Sequence, residues 1–217
     1  MPTADYRNSK GEKLSGTTTI IGSNLGWSKQ QLMYWAWNQG KLGKDFRETK
    51  ERAGDVGTLA HYLIECDIKG IPPDISAIAD KEILGLAEIA YLNFLEWKGM
   101  ANFKVHTTEP HLVSEVYQFG GTPDCIAEIK GKLALFDWKS GGIYEDVLLQ
   151  LVAYKALWEE NHPNEPLNGG FHLLQINKEN ASFTHRFWHA LPDSIWQAFL
   201  SLLQLHNIHK QFKGLIK

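Results

Sequence analysis

The chain has 217 residues, 43% of them hydrophobic and 22% charged, the balance of one globular domain with a substantial core rather than of a disordered or fibrous chain. No uninterrupted apolar run approaches membrane-spanning length, and the polar stretch from Met1 to Lys13 lacks the apolar centre of a signal peptide, so a cytoplasmic protein is expected (host cytoplasm if the source is viral). A net charge of −3 argues weakly against a polyanionic ligand, but its distribution argues for one: residues 1–52 carry nine lysines and arginines against five acids, 193–217 three against one, and 53–192 ten against nineteen.

Residues 1–14 read as flexible. Leu14 to Gly26 mixes hydroxyl side chains, Ile20-Ile21 and three glycines, and reads as an extended approach to a turn. Residues 27–52 form a basic and aromatic helical segment. A first helix, ending near Gly40, holds Tyr34, Trp35 and Trp37, with Trp27 just ahead. Most of these rings are expected in the core, with one or more available to stack on unpaired bases. Lys41, Lys44, Arg47, Lys50 and Arg52 follow at spacings that let several share a helical face, where Glu48 and Glu51 are available to pair with them.

A helix is predicted from about Asp55 to Lys69, with Val56, Ala60, Leu63 and Ile64 as its apolar stripe and His61 and Glu65 one turn apart on another face. Gly70-Ile71-Pro72-Pro73 breaks it. Asp80 to Gly99 is a second amphipathic helix, and Phe103 to Glu115 a strand interrupted near Pro110. Glu109 and Glu115 lie on that strand. Tyr117 to Ile129 is a strand bearing Asp124; Lys130-Gly131 turns it into a hairpin with Lys132 to Lys139, which brings Asp124 and Asp137 to neighbouring strand ends. A helix from about Glu145 to Glu160 carries Gln150 and Tyr154 on one face. Two strands, Gly170 to Ile176 and Phe183 to Trp188, and a final helix from Pro192 or Asp193 to about Phe212 complete the chain; His206 and His209 read as a solvated helix end. Cys66 and Cys125 are the only cysteines, too few for a disulfide framework.

Chemistry concentrates between Gly120 and Tyr154. Strand side chains alternate, so Asp137 and Lys139 share one face and Trp138 takes the other. An acid and a base on an apolar strand are costly to bury unpaired. Two converging carboxylates suit a hard divalent cation, which polarises a phosphoryl oxygen and lowers the pKa of a bound water; a lysine beside it orients that water or stabilises developing charge. A plain Asp137–Lys139 salt bridge, with Asp124 in a turn, is the structural alternative.

The order Gly121-x-x-Asp124, Asp137-x-Lys139, Gln150-x-x-x-Tyr154, with Gly57-x-x-x-His61-x-x-x-Glu65 upstream, resembles the RecB-like exonuclease branch of the PD-(D/E)XK nucleases. Within it the chain is similar to the group of the mitochondrial genome maintenance exonuclease and its phage-type relatives, on Ser15 to Ile21, the His61 helix, and Asp124-Cys125-Ile126-Ala127-Glu128 running into Asp137-Trp138-Lys139-Ser140. The resemblance implies one α/β domain over 1–217, restriction-endonuclease-like, with a central mixed sheet flanked by helices. It implies a Mg²⁺- or Mn²⁺-dependent DNA exonuclease acting on single-stranded or end-bearing DNA. Asp124, Asp137, His61 and the Trp138 carbonyl would bind metal, Glu65 would orient His61, Lys139 would position the attacking water, and Gln150 and Tyr154 would support it; in some relatives a glutamate of the preceding strand approaches the metal region, for which Glu109 and Glu115 are the candidates. Lys41, Lys44, Arg47 and Lys50 as a basic arch, with Trp35 and Ser140, would contact DNA, as would backbone or hydroxyls of the Ser/Thr-rich stretch. Gly120-Gly121 would allow close backbone approach to phosphate. Some relatives hold an iron–sulfur cluster on four cysteines; two cannot supply that set, so none is expected. Two other readings stay open: an endonuclease with the same metal centre, and a non-catalytic nucleic-acid adaptor retaining the fold.

Overall fold

The apolar run 132–139 folds as the middle strand of a five-stranded sheet. The computed structural model describes residues 4–215. Along them run β1 (Ser15–Gly16), α1 (Thr17–Asn24), α2 (Trp27–Lys41), α3 (Phe46–Lys69), α4 (Lys81–Ala101), β2 (Lys104–Thr108), β3 (Leu112–Ser114), β4 (Phe119–Gly121), β5 (Cys125–Ile129), β6 (Lys132–Lys139), α5 (Asp146–Asn161), β7 (Phe171–Ile176), β8 (Phe183–Trp188) and α6 (Asp193–Leu215). The main sheet has the order β2-β5-β6-β7-β8, with β6 and β7 parallel and the other pairs antiparallel. A small sheet, β1-β4-β3, adjoins it. The chain is therefore an α/β protein with mixed sheets and helical layers.

Alternation along β6 divides the core. Ala134, Phe136 and Trp138 point to one face, with Val56, Ala60, Leu63 and Ile64 of α3 and Ala87, Ala90, Phe94 and Trp97 of α4. Leu135 points to the other, with Leu151, Ala153, Tyr154 and Leu157 of α5, Ile20 and Ile21 of α1 and Phe199 of α6. The parallel β6–β7 pair requires a crossover, and α5 supplies it. Caps fix the ends of the α3–α4 layer. The Asp45 carboxylate accepts from the Arg47 N–H, Gly70 closes α3 at φ 66°, and Asp80 accepts from the N–H groups of Glu82 and Ile83.

Several expectations are corrected. Residues 17–24 are helical rather than extended, because Thr17, Ile20 and Ile21 fall on one helical face that is buried, and the Thr17 hydroxyl donates to the Gly120 carbonyl at 2.9 Å. Each such buried isoleucine contributes about 1.5–3 kcal/mol, enough to override a threonine-rich sequence. The helix bearing His61 begins at Phe46, so Arg47, Lys50 and Arg52 belong to it; Arg52 is engaged by Asp80 at 3.0 Å and Glu82 at 2.6 Å. The α2 aromatics are not core: Trp27 is 62% exposed, Tyr34 64% and Trp37 57%, and Trp35 is half-buried. Residues 4–14 are packed on β4, the Tyr6 hydroxyl 2.9 Å from Thr122 Oγ1 and the Asn8 amide donating to Gln118 at 2.7 Å; residues 1–3 lie outside the described residues. His206 is buried, 2.9 Å from Ser15 Oγ and 3.1 Å from the Asn24 amide, rather than solvated. The side chains of Lys210, Lys213 and Lys217 in the basic C-terminal segment lie outside the described ones. Both cysteines are free and buried. Among the described residues no helix is long and apolar enough to cross a membrane.

Opposite Phe136 in the β6–β7 register, on the face turned away from Asp137, His172 of β7 is 5% exposed, lies 4.5 Å from the Phe136 ring and places Nδ1 3.0 Å from His185 Nε2. Burial first, then His185 and Lys130, holds its pKa down to about 4, against an opposing pull from the Gly169 carbonyl. The unfolded imidazole titrates near 6.5, so between the two values the unfolded chain holds more protons and stability falls as pH drops from about 6.5 toward 4. We expect a loss on the order of 1–2 kcal/mol, part of the shift being discounted because the ring borders solvent. Urea unfolding at pH 7 and 4.5 should show a drop that His172→Phe reduces; equal drops would contradict it.

Candidate active site

The hairpin β5–β6 brings the two acids together as the sequence predicts. Asp124 precedes β5, where it accepts from the Trp138 backbone N–H on Oδ2 at 2.7 Å and places Oδ1 3.5 Å from His61 Nδ1. Asp137 lies one strand over and has no exposed surface. Its Oδ2 forms a 2.6 Å ion pair with Lys139 Nζ, and among the described residues its Oδ1 has no hydrogen-bond partner. Trp138 points away, into the α3–α4 layer, 5.2 Å from the Phe94 ring in an edge-on contact. The alternation argument therefore holds: the acid and base share a face, and the indole anchors the strand on the other.

The electrostatics separate the two acids. Burial raises the Asp137 pKa to about 6, and Asp124's charge adds to it, while Lys139 and His61 pull the other way. Burial also acts on Asp124, but His61, Lys139 and the Trp138 N–H outweigh it and hold that carboxyl below its ordinary value. Burial opposes the charged forms of Lys139 and His61, yet the carboxylates win in both cases: Asp137 first for Lys139, Asp124 first for His61, and both pKa values rise. Tyr154 is buried on α5 and its hydroxyl accepts from the Gln150 amide at 2.8 Å. Burial, then the Asp137 charge, pushes the phenol well up, so it stays protonated.

A cleft of about 810 Å³ opens at this point, lined among others by Tyr6, Gly57, His61, Glu109, Asp124 and Ser140. Gly57 lets α3 approach the end of β6: a Cβ there would meet Ser140 Oγ at 2.9 Å. Glu65 lines a small pocket with His61, Glu109 and Asp124, but its carboxylate pairs with Lys69, and among the described residues it makes no bond to His61. Lys41, Lys44, Arg47, Lys50 and Trp35 do not line the cleft. Lys50 and Arg47 stand about one and two turns along α3 from the cleft residues Ala53 and Gly54, and Lys41 lies over the Trp37 ring at 4.3 Å.

The structure separates the two candidate glutamates and adds a residue that the sequence did not single out. Glu109 reaches the cleft with a left-handed φ of 46°, its N–H donating to the Asp124 carbonyl at 3.0 Å; burial, then Glu65 and Asp124, raises its pKa. Glu115, its companion candidate, instead binds the Ser9 backbone N–H at 2.5 Å. The N-terminal segment supplies Tyr6 to the cleft wall, and a lone tyrosine in a polar stretch gave no signal of it. The close approaches at Gly120 and Gly121 are to protein, not to an open phosphate path: added Cβ atoms would meet the Tyr6 ring at 2.2 Å, and Leu157, Thr17 and Tyr154 at 2.7–2.8 Å.

Asp137 tests whether a divalent cation fits. A buried carboxylate whose Oδ1 lacks a partner, beside Asp124 and an imidazole, forms an oxygen-rich donor set with Lys139 as its nearest cation. No group of three or more His, Cys, Asp or Glu among the described residues is already arranged around one point. Asp124 Oδ2 is turned to the Trp138 N–H and Asp137 Oδ2 to Lys139, so the donors fit in kind while their oxygens face protein partners.

No protein-family model matches this chain, and no curated protein matches it. Among solved structures it is similar to a crystal structure of a "Putative exonuclease" from Eubacterium rectale, at 10% identity and a TM-score of 0.49. That match covers 71% of this chain and 65% of the other, so it spans just under two thirds of that protein's length.

The contact of Tyr6 with Gly120 gives a double-mutant test. Gly120→Ala should cost roughly 2 kcal/mol by overpacking against the Tyr6 ring, and most of that cost should vanish in a Tyr6→Ala background. Urea unfolding of the four proteins reads both values; an equal cost with and without Tyr6 would place the clash elsewhere.

Proposed function

We propose that this chain is a metal-dependent DNA nuclease of the RecB-like PD-(D/E)XK kind, an exonuclease acting in the cytoplasm on single-stranded or end-bearing DNA. The observation that carries the reading is the Asp137 carboxylate, fully buried, ion-paired through Oδ2 with Lys139 and with Oδ1 lacking a partner among the described residues, next to Asp124 and His61 at the wall of an open cleft. A structural salt bridge alone would leave the second oxygen of such a carboxylate unsatisfied, and a cation entering from the cleft would complete it.

Mg²⁺ or Mn²⁺ would be held by Asp124 and Asp137, with His61 and the Trp138 carbonyl completing the donors. Bound there, it neutralises phosphate charge and lowers the pKa of a coordinated water. His61 Nδ1 already faces Asp124, so that nitrogen is the one available, in the neutral ring. Lys139 remains an ammonium and donates hydrogen bonds to the attacking water or to the developing phosphorane charge. Gln150 donates to the Tyr154 hydroxyl, which leaves the phenolic proton free to donate toward the same region. Ser140 stands at the cleft wall for the phosphate backbone, and Lys41, Lys44, Arg47 and Lys50, with Trp35, are assigned to the approaching strand.

Two outcomes are expected. End-labelled DNA should be shortened with Mg²⁺ or Mn²⁺ and left intact with chelator, and Asp137→Asn or Lys139→Ala should slow the reaction about 10³-fold or more. A circular single strand should survive. Independently of activity, Mn²⁺ should raise the Tm of the wild-type protein but not of Asp137→Asn. Metal-independent cleavage, or an unchanged Mn²⁺ shift in Asp137→Asn, would remove Asp137 from the centre.

A further inference from the structure

The opposite end of the main sheet carries a second cleft of about 520 Å³, between the β5–β6 turn and the ends of β7 and β8. Lys130, Lys132, Asn168, His172, His185 and Phe187 are among its lining residues, and no carboxylate lines it among the described residues. That is unusual placement in a chain of net charge −3. Its floor is aromatic: His172 lies against Phe136 at 4.5 Å and 20°, and against Phe187 at 4.7 Å, and Phe187 is 53% exposed.

The two histidines do not form a metal site in this arrangement. Their rings are 5.1 Å apart and inclined by 21°, with 3.0 Å between His172 Nδ1 and His185 Nε2. Those values set the rings edge to edge, so an N–H of one ring faces the lone pair of the other and no cation fits between them. The outer nitrogen of His172, Nε2, is then the group without an assignment. It is buried, in a side chain 5% exposed, and has no hydrogen-bond partner.

We propose that this cleft is a second ligand site, separate from the Asp137 centre, that binds a nucleoside monophosphate: the base on the Phe187 and histidine platform, the phosphate between Lys130 and Lys132, and a polar group of the base or sugar against His172 Nε2. An unpartnered buried ring nitrogen, two cations without a competing acid among the described residues, and exposed aromatic surface in a cavity of that volume together select a planar, anionic ligand. Adenosine 5′-monophosphate is the natural probe for the platform and the cations at once. The site stands whether or not the Asp137 centre is a nuclease, because it shares no residue with that centre.

Isothermal titration calorimetry tests it on the intact chain with AMP, adenosine and inorganic phosphate. AMP should bind with a Kd below about 1 mM, at least tenfold tighter than adenosine or phosphate. Lys132→Ala and Phe187→Ala, both on the cleft surface, should each weaken AMP at least fivefold or so. His172→Phe, which keeps the ring and removes Nε2, should do the same if it folds, and the two surface variants decide the matter if it does not. Asp137→Asn should leave AMP binding unchanged. No AMP binding at millimolar concentration, equal binding of phosphate and AMP, or an AMP affinity indifferent to Lys132 and Phe187 would each overturn the proposal. So would loss of binding in Asp137→Asn alone, which would move AMP to the other cleft.

Discussion

The cost of holding the Asp137 carboxylate out of water shapes one end of this molecule. A buried ionised acid with no hydrogen bond is tolerated only where compensation is close at hand. Lys139, two residues on along β6, supplies one charge, and His61, from a different layer, supplies part of another. The sheet cannot move Asp137 to solvent, because the same strand buries Phe136 and Trp138 on its other face. Packing therefore fixes the electrostatic problem in place, and the cleft beside it leaves room for a solution from outside the chain.

The neighbouring elements serve that arrangement. Gly57 allows α3 to lie close enough to β6 for His61 to reach Asp124. The Trp138 N–H fixes one Asp124 oxygen, so the position of the acid depends on the backbone of β6 rather than on a flexible side chain. Tyr154 and Gln150 close the α5 side as a hydrogen-bonded pair. The N-terminal segment then covers Gly120 through Tyr6 and forms part of the cleft wall.

Strong periodicity made most of the fold legible. β6 occupies its predicted span from Lys132 to Lys139, and α4 and α5 differ from expectation by a residue or two at their ends. Helix α1 was legible in principle, since 17, 20 and 21 share a helical face, but threonines and glycines obscured it. The α2 aromatics show the opposite failure: ring content predicts burial only where a partner surface exists, and α2 packs on little of the chain. Within the site, Asp124, Asp137, Lys139 and His61 were readable because strand alternation and helical spacing are local rules. Glu109 was legible only as one of two candidate acids, because a left-handed turn brings it in, and Tyr6 was not legible, because a tertiary docking does. The histidine cleft was missed for the same reason, its members coming from four strands, β5 to β8, and the segments beside them.

A crystal of the protein soaked in Mn²⁺ and measured at the manganese edge tests the central claim directly. The account expects anomalous density beside the carboxylates of Asp124 and Asp137, within bonding distance of the Asp137 oxygen that lacks a partner. Density confined to other parts of the surface, with Asp137 and Lys139 still paired and nothing beside them, would contradict it.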